Sequence, residues 1–134
     1  MTRDVQRRVR KRARNRCEYC WLPQSASRLR HQIDHIIARQ HGGNDAYNNL
    51  ALCCARCNQR KGPNLSGQDP ETGEIVCLFH PRHNRWREHF SWDGAVLVGK
   101  TPVGRATIAV LAINAPSLIE VREALIEEGR FPPR

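Results

Sequence analysis

Two pairs of cysteines with the spacing Cys-x-x-Cys constrain this chain more than any other feature of its sequence. Cys17 and Cys20 form the first pair, and Cys54 and Cys57 form the second. Four thiolates that meet in two such pairs make a tetrahedral sulfur site, for which zinc is the natural ion. The segment 21–53 between the pairs is longer than in an ordinary zinc ribbon. The sequence therefore predicts a structural zinc site that closes around a segment with structure of its own.

Other interpretations of the cysteines stay open at this point. A Cys-x-x-Cys pair can be a redox centre, and free thiols are often buried as small apolar side chains. Cys53 competes with Cys54 for the second pair, but Cys54 has the two-residue spacing to Cys57 that places both on one face of a helix. We assign the isolated Cys77 to the core.

The chain is strongly basic, and its charge is concentrated near the N-terminus. It has 22 Lys and Arg against 13 Asp and Glu, a net charge of +9, and residues 1–16 carry eight of the basic side chains and one acid. The run Asp4–Arg14 lacks Gly and Pro, and its apolar residues recur every four positions, which predicts a helix with a narrow apolar stripe. A solvated charged helix would explain this run, but so dense a cluster is typical of contact with a phosphate backbone. The expected nucleic-acid contacts here are Arg7, Arg8, Arg10, Lys11, Arg12 and Arg14.

The composition excludes several classes of protein. No run of about 18 apolar residues is present, so we expect no membrane span. The N-terminus carries arginines where a signal peptide has its apolar core, so we expect a cytoplasmic protein. Apolar residues make up 40% of the chain, which is enough for a modest core at this length.

The segment between the cysteine pairs predicts a strand, a loop and a helix. Residues 29–37 are rich in Ile and alternate imperfectly, which predicts a strand or strand end that carries Asp34 and His35. A Gly-rich loop at 42–45 follows, and residues 50–61 suit a short helix before a Gly-Pro pair. Neighbours on a regular strand face opposite ways, so Asp34 and His35 address one substrate only if the strand ends or bends there.

The second half of the chain predicts an ordinary globular region. The expected elements are a connector at 64–73, a strand at 75–79, a hairpin at 90–98, a helix from Pro102 to about Ile113 and a last helix that ends near Gly129. Ser117 with Glu120 forms a capping-box signature at the start of the last helix.

These residues together resemble a known family. The matching motifs are Cys17-x-x-Cys20, Asp34-His35-Ile36-Ile37, Gly42-Gly43, Asn49-Leu50 and Cys54-x-x-Cys57-Asn58-x-x-Lys61-Gly62. In this order they are similar to the HNH endonucleases, in particular to small stand-alone members with a four-cysteine zinc site. The resemblance implies an α+β fold with the core called ββα-metal. It also implies hydrolysis of phosphodiester bonds, with double-stranded DNA as the expected substrate and a divalent ion as cofactor.

The resemblance implies a role for each polar residue. His35 matches the general base that takes a proton from the attacking water, and Asn49 matches the residue that orients this base. Asp34 and Asn58 match the ligands of the catalytic ion, for which Mg²⁺ or Mn²⁺ is expected because both donors are oxygen. The side chains suit these roles, since a neutral imidazole accepts a proton at neutral pH and a hard cation stabilises an anionic transition state.

Two residues depart from the common family pattern. Asn58 stands where many members have His, and Ala38 stands where many have Pro. Taken singly, the site residues also have ordinary explanations, such as a helix cap for Asn49. Arg60 and Lys61 follow Asn58 directly, and we expect them to contact flanking phosphates as charged donors.

The resulting hypothesis divides the chain into three regions. These are a basic helical arm at 1–16, an HNH core at 17–66 and an accessory α+β region, a hairpin plus two helices, at 67–134. The expected function is a metal-dependent DNA endonuclease. The alternative is a zinc-stapled nucleic-acid-binding module without catalytic activity, which would bind in a salt-sensitive way but cleave with no divalent metal.

Overall fold

A computed structural model describes residues 1–133, and Arg134, the last residue of the predicted accessory region, lies outside the described residues. The described chain combines helices with three small antiparallel sheets, which confirms the predicted α+β class. Its helices are α1 (Arg3–Arg12), α2 (Ala55–Lys61), α3 (Trp86–His89), α4 (Pro102–Leu111) and α5 (Pro116–Glu127). The sheets pair β1 (Gln32–His35) with β2 (Leu50–Cys53), β3 (Ser66–Gln68) with β4 (Ile75–Cys77), and β5 (Phe90–Asp93) with β6 (Val96–Gly99).

The hairpin of β1 and β2 leads directly into α2. In its register His35 lies opposite Leu50, so the prediction of a helix from Leu50 is wrong for the first five residues, four in β2 and one the N-cap. All four residues of β2 are buried, because pairing with β1 and packing on both faces override the local helical preference. The helix begins only after Cys54, whose Sγ caps it by accepting the N–H of Cys57 at 3.4 Å.

Helix α1 packs against one face of this hairpin. Thr2 caps the helix, because its Oγ1 accepts the N–H of Val5 at 3.2 Å. The predicted apolar stripe is confirmed, since Val9 and Ala13 are buried against two leucines of β2. The basic arm is therefore a packed part of the fold.

The accessory region contains one strand that the sequence did not reveal. The predicted connector at 64–73 includes β3, which pairs with β4, so the prediction is wrong there. The polar, Gly-rich composition conceals this strand. Gly67 is needed there for close packing, because a Cβ at this position would lie 2.5 Å from Cγ2 of Val110 in α4. Cys77, which we assigned to the core, is exposed at the end of β4.

The other accessory elements follow the prediction closely. The hairpin of β5 and β6 and helix α4 are confirmed, with Thr101 capping α4 through the N–H of Gly104 at 3.1 Å. Helix α5 begins one residue before Ser117 and has no side-chain cap, so the capping-box prediction is wrong. Pro116 fills the first turn, where its missing N–H leaves no orphan donor.

The accessory region and the cysteine-bearing segment share one core. Tyr19 is buried in a cluster with Phe79 and Phe90. Trp21 stacks on Trp86 with ring centroids 3.9 Å apart. This packing holds the accessory region against the loop between the first two cysteines.

Within residues 1–133, no single helix is both long and apolar enough to cross a membrane. Only α4 and α5 taken together, bent by 103° at their junction, reach that length and composition.

Candidate active site and metal centre

Four buried cysteines form a compact sulfur cluster. The Sγ atoms of Cys17, Cys20, Cys54 and Cys57 all lie within 4.8 Å of one another, and those of Cys20 and Cys54 are 3.7 Å apart. Sulfurs at about 2.3 Å from one tetrahedral ion lie about 3.8 Å apart, so this donor set fits zinc. The structure brings together the four cysteines that the spacing paired, with Cys54 and not Cys53 among them.

The fifth cysteine of this segment lies beside the cluster. Burial raises the pKa of the Cys53 thiol well above its usual range, and its hydrogen bond with Cys17 raises it further. Cys53 therefore acts as a protonated neighbour of the sulfur cluster. Cys53 is the last residue of β2, where it is fully buried, and it directly precedes Cys54 in the chain.

The imidazole of His35 is held by a carboxylate that the sequence did not single out. His35 Nε2 lies 2.7 Å from Oδ1 of Asp45, and the His35 side chain is 21% exposed. Arg39 also donates to both oxygens of Asp45, at 2.7 and 2.9 Å. The hydrogen bond from His35, followed by the charges of Arg39 and the N-terminal amine, lowers the pKa of Asp45. The carboxylate is thus ionised and fixes one edge of the imidazole. One signal could have found it, because Asp45 is the single acid between Asp34 and Asp69.

Asn49 closes the loop that separates His35 from β2. Its Oδ1 accepts the N–H of Ile37 at 2.9 Å, and its Nδ2 donates to the carbonyls of Ile37 at 3.0 Å and Asn44 at 2.8 Å. The buried amide therefore joins both ends of the loop, and the helix-cap explanation is wrong. Gly43 completes the closure, since a Cβ there would lie 1.6 Å from the carbonyl oxygen of Ile37.

Asp34 and His35 are the last two residues of β1. The strand therefore ends at His35, which is the condition under which neighbouring residues can address one substrate. Oδ2 of Asp34 accepts the hydroxyl of Tyr19 at 2.9 Å and lies 3.2 Å from Nζ of Lys61. Burial raises the pKa of Asp34, while Lys61 and Tyr19 oppose that rise.

Lys61 is an internal residue and does not reach a phosphate. Its side chain is 2% exposed, and Nζ also contacts the carbonyls of His35 at 3.3 Å and Ile36 at 3.1 Å. The reason is its place on α2, three residues after Asn58 on the face that packs towards β1. Its neighbour Arg60 is exposed and remains available to a substrate.

Asn58 lies on the same side of α2 but binds a different strand residue. Its Nδ2 donates to Oε1 of Gln32, two residues before Asp34 on β1. The proposed ligands Asp34 and Asn58 thus stand on facing elements, each with its own partner. In the part of the chain that the structure describes, the only close group of three or more His, Cys, Asp or Glu donors is the cysteine cluster. Asp34 and Asn58 offer the oxygen donors that a hard cation prefers, and Asp34 is paired here with the Lys61 ammonium.

A family comparison bears on this whole arrangement. Residues 17–64 match the family model described as HNH endonuclease. The chain carries an HNH domain. The comparisons with curated proteins and with solved structures gave no match. The match spans the β1–β2 hairpin, α2, the four cysteines and the loop closed by Asn49, and it confirms the resemblance drawn from the sequence.

Two of the predicted nucleic-acid contacts are used to dock α1 on the HNH domain. Arg10 Nη1 donates to the carbonyl of His31 at 2.8 Å. Arg12 donates to the carbonyls of Tyr47, at 3.0 Å, and Leu50, and its guanidinium lies 3.8 Å from the centre of the Tyr47 ring. These cations therefore staple the arm to the hairpin. The exposed basic residues of the arm are Arg3, Arg7, Arg8, Lys11 and Arg14.

An arginine groove runs between α1 and the segment before β1 of the HNH domain. This cavity of about 510 Å³ is lined by Arg3, Gln6, Arg7, Arg10 and Arg30, with no acid among them. Burial and the nearby charge of Arg30 lower the pKa of Arg10. The N-terminal amine lies 3.7 Å from Asp45, and Arg10 bonds to His31, so α1 runs beside β1 from its His35 end towards its start. Arg30 was not among the predicted contacts, because a single arginine outside the basic run carries no signal of its own.

Proposed function

We propose that this protein is a metal-dependent endonuclease that hydrolyses DNA phosphodiester bonds. The observation that carries the proposal is the His35–Asp45 pair within a segment that matches the HNH family. An ionised Asp45 on Nε2 favours the tautomer with the proton on that nitrogen, which leaves Nδ1 with a lone pair. Nδ1 then takes the proton of the attacking water, and Asp45 stabilises the imidazolium that forms.

Asn49 is a positioning residue in this proposal. Its three hydrogen bonds fix the loop between Ile37 and Asn44, and Asp45 directly follows that loop segment. The carboxylate is therefore held at a constant distance from His35, as general-base catalysis requires.

Asp34 and Asn58 would hold the catalytic Mg²⁺ or Mn²⁺. When bound, such an ion stabilises the negative charge that develops on the phosphate in the transition state. In this proposal Lys61 neutralises Asp34 while no ion is bound, because an unpaired buried carboxylate is costly.

Zinc would occupy the cysteine cluster as a structural ion. It would link the turn after α1 to the start of α2, and so hold together the two segments that precede and follow the β1–β2 hairpin. Zinc binding at such a site contributes directly to folding free energy.

The substrate would approach along the arginine groove. A cavity lined by arginines without acids suits the phosphate backbone of double-stranded DNA, and it lies beside the strand that ends at His35. The exposed Arg60 would add a contact beyond the site.

One observation favours a second function. Both oxygens of Asp34 already have protein partners, Tyr19 and Lys61, which suits a domain that binds nucleic acid and does not cleave it.

Nicking of supercoiled plasmid separates the two functions. We expect nicked product when Mg²⁺ or Mn²⁺ is added and none when both are omitted; omission avoids a chelator, which would also strip zinc. His35→Ala should lower the rate by about 100-fold or more, because general-base catalysis contributes roughly 100- to 10,000-fold. The matched control is His41→Ala, an exposed histidine of the same loop, which should cleave like the parent. If His35→Ala cleaves as fast as the parent, His35 is not the general base. If the parent binds DNA but cleaves it with neither metal, the protein is a nucleic-acid-binding module without catalytic activity.

A further inference from the structure

The buried face of α5 carries a charged residue where its apolar pattern calls for none. Arg122 is 3% exposed and lies on the same side of the helix as Leu125, which is also buried. Its Nε donates to the carbonyl of Ala95 at 2.7 Å, and its Nη2 donates to the carbonyl of Ile113 at 2.9 Å and to Oδ1 of Asn114 at 3.3 Å. All of these acceptors are neutral.

No carboxylate in the described part of the chain forms an ion pair with this guanidinium. Other buried or half-buried cations among residues 1–133 are paired with an acid, as Lys61 is with Asp34. Arg122 belongs to none of these ion pairs. An isolated charge in a protein interior is strongly unfavourable unless an opposite charge lies nearby. An anionic group other than an Asp or Glu would therefore stabilise this guanidinium.

Two members of the cysteine cluster line the same cavity as this guanidinium. Cys20, Cys54 and Arg122 line one small, mostly apolar cavity of about 80 Å³, together with Leu118 of α5. On its other side the guanidinium lies 5.2 Å from the ring of Trp92, a neutral aromatic face that adds a cation–π contact.

We propose that Arg122 is the counter-cation of the zinc–tetrathiolate centre, and so the residue through which the accessory region stabilises the metal site of the HNH domain. The inference rests on the proposed zinc site. One Zn²⁺ with four thiolates carries a net charge of −2, and a buried guanidinium beside it offsets part of that charge. Arg122 lies outside residues 17–64, so the contact adds to the HNH domain something that the matched segment does not contain.

Zinc affinity tests the proposal without reference to nuclease activity. The zinc-loaded full chain is titrated with a chromophoric zinc chelator, and bound zinc is quantified for the parent, Arg122→Met and Arg122→Lys. We expect Arg122→Met to bind zinc roughly 10- to 100-fold more weakly, the usual effect of removing an outer-shell partner. Arg122→Lys, which keeps the charge and loses the fork of donors, should retain most of the affinity. The matched control is Arg105→Met on α4, which removes a guanidinium paired with Asp69 and should leave zinc affinity unchanged.

A thermodynamic cycle excludes a purely structural role. Thermal unfolding of the parent and Arg122→Met is compared with and without zinc; if Arg122 acts through charge, zinc should stabilise the parent more than the variant. Equal stabilisation by zinc, with unchanged zinc affinity in Arg122→Met, would overturn the proposal. Should Arg122→Met fail to fold, Arg122→Gln replaces it and the same comparison with Arg122→Lys decides. A parent that binds no zinc at all would overturn the zinc site itself, a result distinct from a zinc-binding parent with an indifferent Arg122.

Discussion

At the scale of single residues, Asp45 is the contact that separates His35 from an ordinary surface histidine. The carboxylate lies 2.7 Å from Nε2 and is itself held by Arg39. In the proposed reaction it orients the ring and stabilises the imidazolium, so its contribution appears in the chemical step.

We therefore expect Asp45→Asn to lower kcat for plasmid nicking by roughly 10- to 100-fold with little change in KM, a part of the roughly 100- to 10,000-fold that a general base supplies. Single-turnover nicking at saturating Mg²⁺ measures the effect. The control is Arg39→Ala, which removes a 66% exposed partner of Asp45 but leaves the His35 contact, and should cost far less. A change confined to KM, or no change, would show that Asp45 is only a surface partner of Arg39.

The residues of the site differ in how far the sequence revealed them. The grouping of the four cysteines follows from spacing alone, because two Cys-x-x-Cys pairs leave few geometric choices. Asp45 did not, since its approach to His35 depends on a loop closure made by the amide of Asn49. The internal role of Lys61 also escaped, because burial of a lysine requires the partner that only the fold brings to it, here Asp34.

At the scale of elements, local patterns sufficed where helices and hairpins are amphipathic. Helix α1 and the β5–β6 hairpin lie where period and turn residues placed them. Strands β2 and β3 do not lie where local patterns predicted them, and the two reasons are opposite. Every residue of β2 is buried, so it shows no alternation, and β3 contains a glycine and polar residues that pack only because α4 lies against them.

An ion pair joins the turn between β3 and β4 to helix α4. Asp69 is fully buried and accepts two hydrogen bonds from Arg105 of α4, both at 2.9 Å. Its Oδ1 also accepts the N–H of Glu71, and its Oδ2 accepts the hydroxyl of Thr72. The hydrogen bonds from Arg105, helped by those from the turn, hold the pKa of Asp69 well below its ordinary 3.8. This carboxylate joins the small sheet to the helix.

We expect Asp69→Asn to destabilise the protein at pH 7 and to lose part of that effect in acid. Because the folded-state pKa is depressed, the stabilisation is complete above the unfolded value of 3.8 and declines as pH falls below it. Chemical unfolding of both proteins at pH 7, 5 and 3 should show a gap that is constant at the two higher values and narrower at pH 3. Asp93→Asn, at an exposed position of the β5–β6 hairpin, is the control and should show no such gap. A gap that is equal at all three values would exclude the ion pair as its source.

At the scale of the whole molecule, the positive charge serves two purposes. Part of it is internal, since Arg10 and Arg12 hold α1 on the hairpin. Another part lies on one surface, where Arg3, Arg7 and Arg30 line the arginine groove beside β1. The net charge of +9 and the basic run predict an anionic partner, but only the packing of α1 shows which arginines stand together.

The salt dependence of DNA binding tests whether this groove contacts phosphates. Binding is measured in the His35→Ala background, so that cleavage does not interfere. The fall of log K with log salt becomes less steep by about 0.9 for each phosphate contact that is lost. Replacement of both Arg7 and Arg30 by alanine should therefore make the slope about 1.8 less negative. Alanine at Lys100 and Arg130 removes the same charge from sites elsewhere and serves as the matched control. Because backbone contacts carry no sequence information, the weakening should be the same for unrelated duplexes. An equal slope change in both double variants would mean that net charge alone attracts the DNA, and that the groove is not its path to His35.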